Sequence, residues 1–250
     1  MTPQVDGIVR RPDGANVAFL LIHGFGADVD ELASLGEELE NRGIASFAVR
    51  VAGHGTTPED LSTKTWQDLY DSVLAGLKLV KSWNPSHLFI AGLSMGGVLT
   101  LRLAALEEGI DGIVVFSPAI DIGGGVYRLL PILKHIVKFK RVDLSYIPKM
   151  YDLPRSKYDR DSLAAAHELL KLGSDSRKKL KDVRIPTLVI QSGADKTIDP
   201  SNGQYVFDKI ASQNKELHVI EGAEHVITCH PTRNIAYSYV FEFIKKYVAR

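Results

Sequence analysis

Ser94 stands in the stretch Ala91-Gly92-Leu93-Ser94-Met95-Gly96-Gly97, a Gly-x-Ser-x-Gly pattern. It follows the apolar run Leu88-Phe89-Ile90 and opens a helical pattern from Val98 to Glu108. Between a strand and a helix, such a turn lifts a serine hydroxyl clear of the sheet edge. Gly92 and Gly96 leave room for strained backbone around the serine, and Gly97 lets the helix sit close on its strand. The helix N-terminus, with the N–H of Met95, favours negative charge developing nearby. A serine hydroxyl is a poor nucleophile at neutral pH. It needs a base within hydrogen-bond reach, and the base needs a third group to fix its tautomer. A glycine-rich turn with an incidental serine has the same letters, so the partners must decide between the two.

Where a serine sits on such a turn, acid and base follow in the order Ser, Asp, His. The chain has 8 histidines. His225 falls in the turn between the last expected strand and the terminal helix, so it is the expected base. His218 lies within a strand, His87 begins one at its amino end, and His135 and His167 lie in an irregular segment. His230 precedes Pro231 and reads as a turn residue. For the acid, Asp195 follows a strand and has no local structural task in view, whereas Asp199 precedes Pro200 and reads as a helix cap. The expected triad is therefore Ser94, Asp195 and His225.

A tetrahedral intermediate needs N–H donors aimed at its oxyanion. Met95 N–H is one. The second is expected from the loop after an early strand, and His23-Gly24-Phe25-Gly26 supplies Phe25 N–H. The His23 side chain either braces this loop or is an ordinary strand-end histidine. His54, in Gly53-His54-Gly55, is expected to shape the wall of the site or to touch substrate. Cys229 has no comparable turn around it.

Those residues need a scaffold. Val17–Ile22 reads as a strand buried on both faces, as in a parallel sheet. Residues 5–11, 45–51, 88–93, 113–116, 187–191 and 216–220 read as further strands. Helices are expected after Asp28 or Asp30 and over about 65–83, 95–108 and 231–248, with another beginning at Asp199-Pro200. Strands alternating with helices imply a mostly parallel, doubly wound sheet, whose ligands sit at the carboxyl ends of its strands. His23, Ser94, Asp195 and His225 all follow expected strands. From about 119 to 182 the pattern breaks. Gly123, Gly124 and Gly125 precede short helical pieces interrupted by Pro131, Pro148 and Pro154. One good helix spans Leu163–Leu172, capped by Asp161 or Ser162 and stopped at Gly173. Too long for a loop, the segment is expected to be an inserted helical cap on a single domain spanning 1–250. Leu129, Leu130, Ile132, Leu133, Ile136 and Val137 fall close to one helical face, and either cover an acyl channel or form an ordinary core helix. From Arg128 to Arg184 basic residues outnumber acidic ones, a field that either steers acidic substrates or is screened by salt.

Bulk properties narrow the class. The 250 residues are 45% hydrophobic, enough for one sizeable core. The formal net charge is zero, so nothing points to nucleic acid as a partner. One cysteine excludes an internal disulfide framework and a cysteine metal cluster, and accords with a reducing cytoplasm. No run approaches the length of a transmembrane segment.

Together, His23-Gly24-Phe25-Gly26, Gly53-His54-Gly55-Thr56, Gly92-Leu93-Ser94-Met95-Gly96-Gly97 and Glu224-His225-Val226 resemble the α/β-hydrolase family. They are most similar to its small bacterial carboxylesterases and monoacylglycerol lipases. The resemblance implies an α/β-hydrolase fold and hydrolysis of short- to medium-chain carboxylic esters or monoacylglycerols, with no cofactor and no metal. It also implies that an acidic cap residue meets glycerol hydroxyls, and Asp159 stands near that place. Leu129 and Ile136 are expected along the acyl chain. Thioesterase, lactonase and C–C hydrolase activities use the same machinery, and some proteins of this fold only bind ligands. The oligomeric state, monomer or homodimer, is open.

Overall fold

The computed structural model describes residues 5–123 and 129–248. Gly124, Gly125 and Arg128, singled out above, lie outside the described residues. In chain order the body of the fold starts with strands β1 (Gly7–Arg10) and β2 (Val17–Ile22), helix α1 (Ala33–Glu40) and strand β3 (Ala45–Val49). Helices α2 (Pro58–Thr63) and α3 (Trp66–Ser82), strand β4 (His87–Leu93), helix α4 (Met95–Leu106) and strand β5 (Gly112–Phe116) follow. Next come α5 (Leu130–Leu133), β6 (Phe139–Arg141), α6 (Ile147–Met150), β7 (Arg160–Ser162) and α7 (Leu163–Lys179). The chain closes with β8 (Thr187–Ser192), α8 (Ser201–Lys209), β9 (Lys215–Ile220) and α9 (Arg233–Val248).

Seven strands form one sheet in the order β1-β3-β2-β4-β5-β8-β9. All neighbours are parallel except the edge strand β1, which runs antiparallel to β3. The continuous apolar runs explain this. Every residue of β2, β3 and β5 is buried, as a sheet covered on both faces requires. Phe19 and Phe89 stack across the β2–β4 pair at 5.3 Å between ring centroids. β2 leads away to β3 on one side and β4 leads away to β5 on the other. Their carboxyl ends, paired at Ile22 and Gly92, therefore flank the crevice at which such sheets bind ligands. This topology brings the His23–Gly26 loop beside the Ser94 turn.

Local chemistry sets the helix starts. Thr65 caps α3 in a reciprocal box with Asp68, and Ser162 rather than Asp161 caps α7 by accepting from Ala165 N–H. The short helix α2, capped by Thr57, is not apparent in the pattern around Pro58. Gly173 does not stop α7, which runs on to Lys179. The glycine is needed for contact instead, since a Cβ there would come within 2.9 Å of the Ile120 carbonyl oxygen. α8 starts at Ser201, after Asp199-Pro200, yet Asp199 Oδ1 still accepts from Ser201 N–H.

The irregular segment differs more. β6 and β7 pair as a small antiparallel ribbon. Pro131 and Pro148 sit in the first turns of α5 and α6, where a missing N–H costs nothing, so they start these helices rather than break them. Only one turn near 130 is helical, and the apolar face expected there is divided: Leu130 is buried, while much of the rest points outward. Leu129, Ile132 and Ile136 are 52%, 64% and 74% exposed. Among the described residues no helix is long and apolar enough to cross a membrane.

Candidate active site

The Ser94 turn is strained as its glycines imply. Ser94 has φ 56° and ψ −114°, a conformation that favours glycine. Its backbone is over-determined: Ser94 N–H donates to Phe116 O at 2.9 Å, and Ser94 O accepts from Val98 N–H and Ala119 N–H. A Cβ on Gly96 would stand 2.0 Å from Ile22 O, so only glycine lets α4 begin against the end of β2. A Cβ on Gly24 would lie 3.6 Å from Ser94 Cβ, which places the loop after β2 directly against the serine. The N–H of Met95, in the first turn of α4, has no partner within that helix.

His225 Nδ1 lies 2.6 Å from Asp195 Oδ2, and both side chains are nearly out of water. Asp195 has a local task that its sequence position does not reveal. Its Oδ1 accepts from Thr197 N–H at 2.8 Å and Ile198 N–H at 2.9 Å. One carboxylate oxygen is thus tied to the backbone while the other faces the imidazole. His218 stacks on Tyr239 at 3.7 Å between centroids, and His230 Nδ1 pairs with Thr232 Oγ1 at 2.8 Å, so both rings are engaged elsewhere.

Ser94, His225, Phe25 and Gly24 line one cavity, with an empty volume of about 900 Å³ including its open mouth. Much of its wall is apolar: Leu93, Ala119, Ile122, Ile198 and Val226 from the body, and Ala166, Leu169 and Leu170 from α7. Ala166, Leu169 and Leu170 follow helical spacing, the one sequence signal for this wall. A charged side is formed by Glu31, Arg155, Lys157 and Asp161, none of which the sequence marks as part of a site. Glu31 and Arg155 form a buried pair at 2.6 Å.

Four residues expected at the substrate are not among those lining the cavity. Asp159 precedes β7, its side chain is 75% exposed, and it faces Arg160. Asp161, two residues on, is the acidic residue of the segment that lines the cavity. Leu129 and Ile136 face outward because α5 is a single turn and does not carry its stripe further. His54 lies behind the wall. Its Nδ1 faces Val51 O and Ala52 O, and its ring packs edge-on to Phe25 at 6.1 Å.

His23 braces the loop. Val51 N–H donates to its Nε2 at 3.1 Å, which leaves the proton on Nδ1, 2.8 Å from Gly24 O. Burial holds the His23 pKa below the usual imidazole value. Burial, and then proximity to His23, pushes His54 down to about 3. Both rings are neutral when folded and take up protons when unfolded. Their stabilisation is complete above about pH 6.5 and is lost as pH falls below it, for His54 down to about 3. A group shifted this far gives up about 2 kcal/mol between pH 6.5 and 5. His54→Asn should therefore flatten the decline of Tm between pH 7 and pH 5, whatever its effect at pH 7. Parallel declines in thermal melts of the two proteins would contradict this.

Comparison with known proteins follows the same lines. A family model described as "Serine aminopeptidase, S33" matches residues 14–231. The chain is 27% identical to a carboxylesterase of Bacillus subtilis (strain 168), over 93% of this chain and 94% of that one. It is 29% identical to a thermostable monoacylglycerol lipase of Bacillus sp. (strain H-257), over 92% and 91%. A solved structure from work on LipS and LipT, two metagenome-derived lipolytic enzymes, superposes with a TM-score of 0.88 at 26% identity. That match covers 98% of this chain and 99% of the other.

Proposed function

The chain belongs to the serine aminopeptidase S33 family of α/β hydrolases, and from that premise we propose that it hydrolyses carboxylic esters through an acyl-enzyme on Ser94. One observation carries the reading: a strained serine and a buried imidazole line one largely apolar cavity, and a carboxylate holds that imidazole from behind. Ser94 Oγ attacks the ester carbonyl carbon while His225 Nε2 takes its proton. Asp195 holds the proton on Nδ1 and stabilises the imidazolium. Met95 and Phe25 N–H receive the oxyanion. The C–O bond to the alcohol breaks as His225 returns the proton to the leaving oxygen. Water, deprotonated by His225, then attacks the acyl carbon and frees the acid and Ser94.

The apolar wall suits a short to medium acyl chain. The side bearing Lys157 and Asp161 suits a hydroxylated alcohol such as glycerol, in line with the similarity to a monoacylglycerol lipase. The insert over about 119–182 serves as the cap, since Tyr146, Tyr151, Arg155 and Lys157 close one side of the cavity. A cytoplasmic setting accords with the lone cysteine, Cys229, whose buried thiol is pushed up to about 12.

The test is a panel of p-nitrophenyl acetate, butyrate and octanoate, 1-monoacylglycerols, a butyryl thioester, a lactone and alanine p-nitroanilide. The expected result is the highest kcat/KM on an oxygen ester, peaking at intermediate chain length. Preference for the thioester, lactone or anilide, or no turnover at all, would overturn the reading.

A further inference from the structure

The short stretch 155–158, between α6 and β7, touches the loop after β2 at nearly every residue. Arg155 Nη2 lies 2.6 Å from Glu31 Oε1, and Glu31 Oε2 accepts from Gly24 N–H at 2.9 Å. Ser156 N–H donates to Asp30 Oδ2 at 2.6 Å. Lys157 Nζ donates to Phe25 O at 2.9 Å, and its backbone bridges Ala27 in antiparallel fashion. Tyr158 N–H donates to Gly26 O at 2.8 Å.

These bonds surround the peptide that carries Phe25 N–H. Of four polar anchors, one is His23 Nδ1 on Gly24 O. The other three, on Gly24 N–H, Phe25 O and Gly26 O, come from residues 157 and 158 or from Glu31, which Arg155 fixes in turn. The loop needs such anchors. Gly24 and Gly26 flank Phe25, Gly26 has φ 66°, and a glycine-bounded turn loses much conformational freedom when it is ordered. The Glu31–Arg155 pair is also costly to bury, and a nearby apolar pair would fill the space more cheaply. Its place beside the cavity, with Glu31 also bound to Gly24 N–H, points to a positional task.

We propose that residues 155–158 form a strap by which the cap holds the oxyanion loop, with Glu31, Arg155 and Lys157 as positioning residues for Phe25 N–H. The inference rests on the acyl-enzyme reading above. Its consequence is that the precision of an oxyanion donor depends on residues of the cap as well as on the body of the fold.

The strap acts on a group common to every ester, whereas a contact with substrate depends on the ester used. Lys157→Met removes the bond to Phe25 O, and Lys157→Arg restores a donor. Glu31→Gln combined with Arg155→Met removes the ion pair while keeping an acceptor for Gly24 N–H and stranding no charge. Each is assayed on p-nitrophenyl butyrate, p-nitrophenyl octanoate and 1-monobutyrin, which differ in acyl chain and in alcohol, and titrated with an alkyl trifluoromethyl ketone, which forms a tetrahedral adduct on serine. For Lys157→Met and the double variant, kcat should fall about tenfold or more, by the same factor on all three esters, with KM little changed. Affinity for the ketone should fall by that factor too, and Lys157→Arg should recover most of both losses. A change confined to KM, or one that varies with the ester, would overturn the strap. So would unchanged kcat and ketone affinity in variants that fold. If wild-type protein fails to bind the ketone and Ser94→Ala remains active, the acyl-enzyme reading falls and takes the strap with it. A wild-type enzyme that binds the ketone beside unaffected variants removes the strap alone.

Discussion

Ser94→Ala is expected to lower kcat/KM for p-nitrophenyl butyrate by about five orders of magnitude while leaving the fold intact. The alanine keeps the Cβ, and the turn stays bound to Phe116, Val98 and Ala119 through backbone groups alone. Ser94→Gly should be as inactive but more stable than wild type by about 1 kcal/mol, because glycine relieves the cost of φ 56°. The pair of variants separates function from packing. A serine kept at a strained angle for its hydroxyl shows activity and stability moving in opposite directions. Retention of more than a few per cent of wild-type kcat in either folded variant would show that Ser94 is not the nucleophile.

Asp195→Asn should lose about four orders of magnitude in kcat, and the structure says by what route. Thr197 and Ile198 N–H groups both donate to Oδ1, so an asparagine would put its carbonyl oxygen there. Its NH₂ would then face His225 Nδ1, forcing the proton onto Nε2, where Ser94 needs a lone pair. The same two N–H groups keep the variant folded. Asp199→Asn should change kcat by less than about twofold, because asparagine also accepts from Ser201 N–H at that exposed turn. Steady-state kinetics on the two variants checks both statements, and reversed outcomes would identify the wrong aspartate.

The sheet and the reactive turn are legible in the sequence because their causes are local. Unbroken apolar runs such as Val17–Ile22 admit few placements other than a doubly covered strand. The glycines at 92 and 96 fix a turn that tolerates no other residue. The pairing of His225 with Asp195 follows from strand order, since both loops must leave the same edge of the sheet. The expectation that Asp195, unlike Asp199, has no local structural task is wrong: Asp195 anchors its own turn through Thr197 and Ile198 N–H.

The cap resists such reading. In a stretch of single-turn helices and three-residue strands, periodicity has no length over which to act, and orientation is set by tertiary contact. Leu129 and Ile136 carry a helical stripe that the chain abandons after Leu133. Asp159 and Asp161 are equivalent in sequence, yet only Asp161 lines the cavity, where it meets Lys157 at 3.1 Å. Nothing around Glu31 in the sequence marks its role, because its ion-pair partner Arg155 lies far along the chain. Gly173 reads as a helix stop because its true neighbour, the Ile120 carbonyl, is visible only in three dimensions.

The account turns on a covalent bond to Ser94, and that bond can be weighed directly. Treatment with a p-nitrophenyl alkylphosphonate, followed by intact mass and peptide mapping, reports where an acyl-like group is transferred. The expected result is a single adduct on the peptide containing Ser94, with activity falling in proportion to labelling and no adduct on Ser94→Ala. Labelling at another residue, or full activity after Ser94 is completely modified, would contradict it.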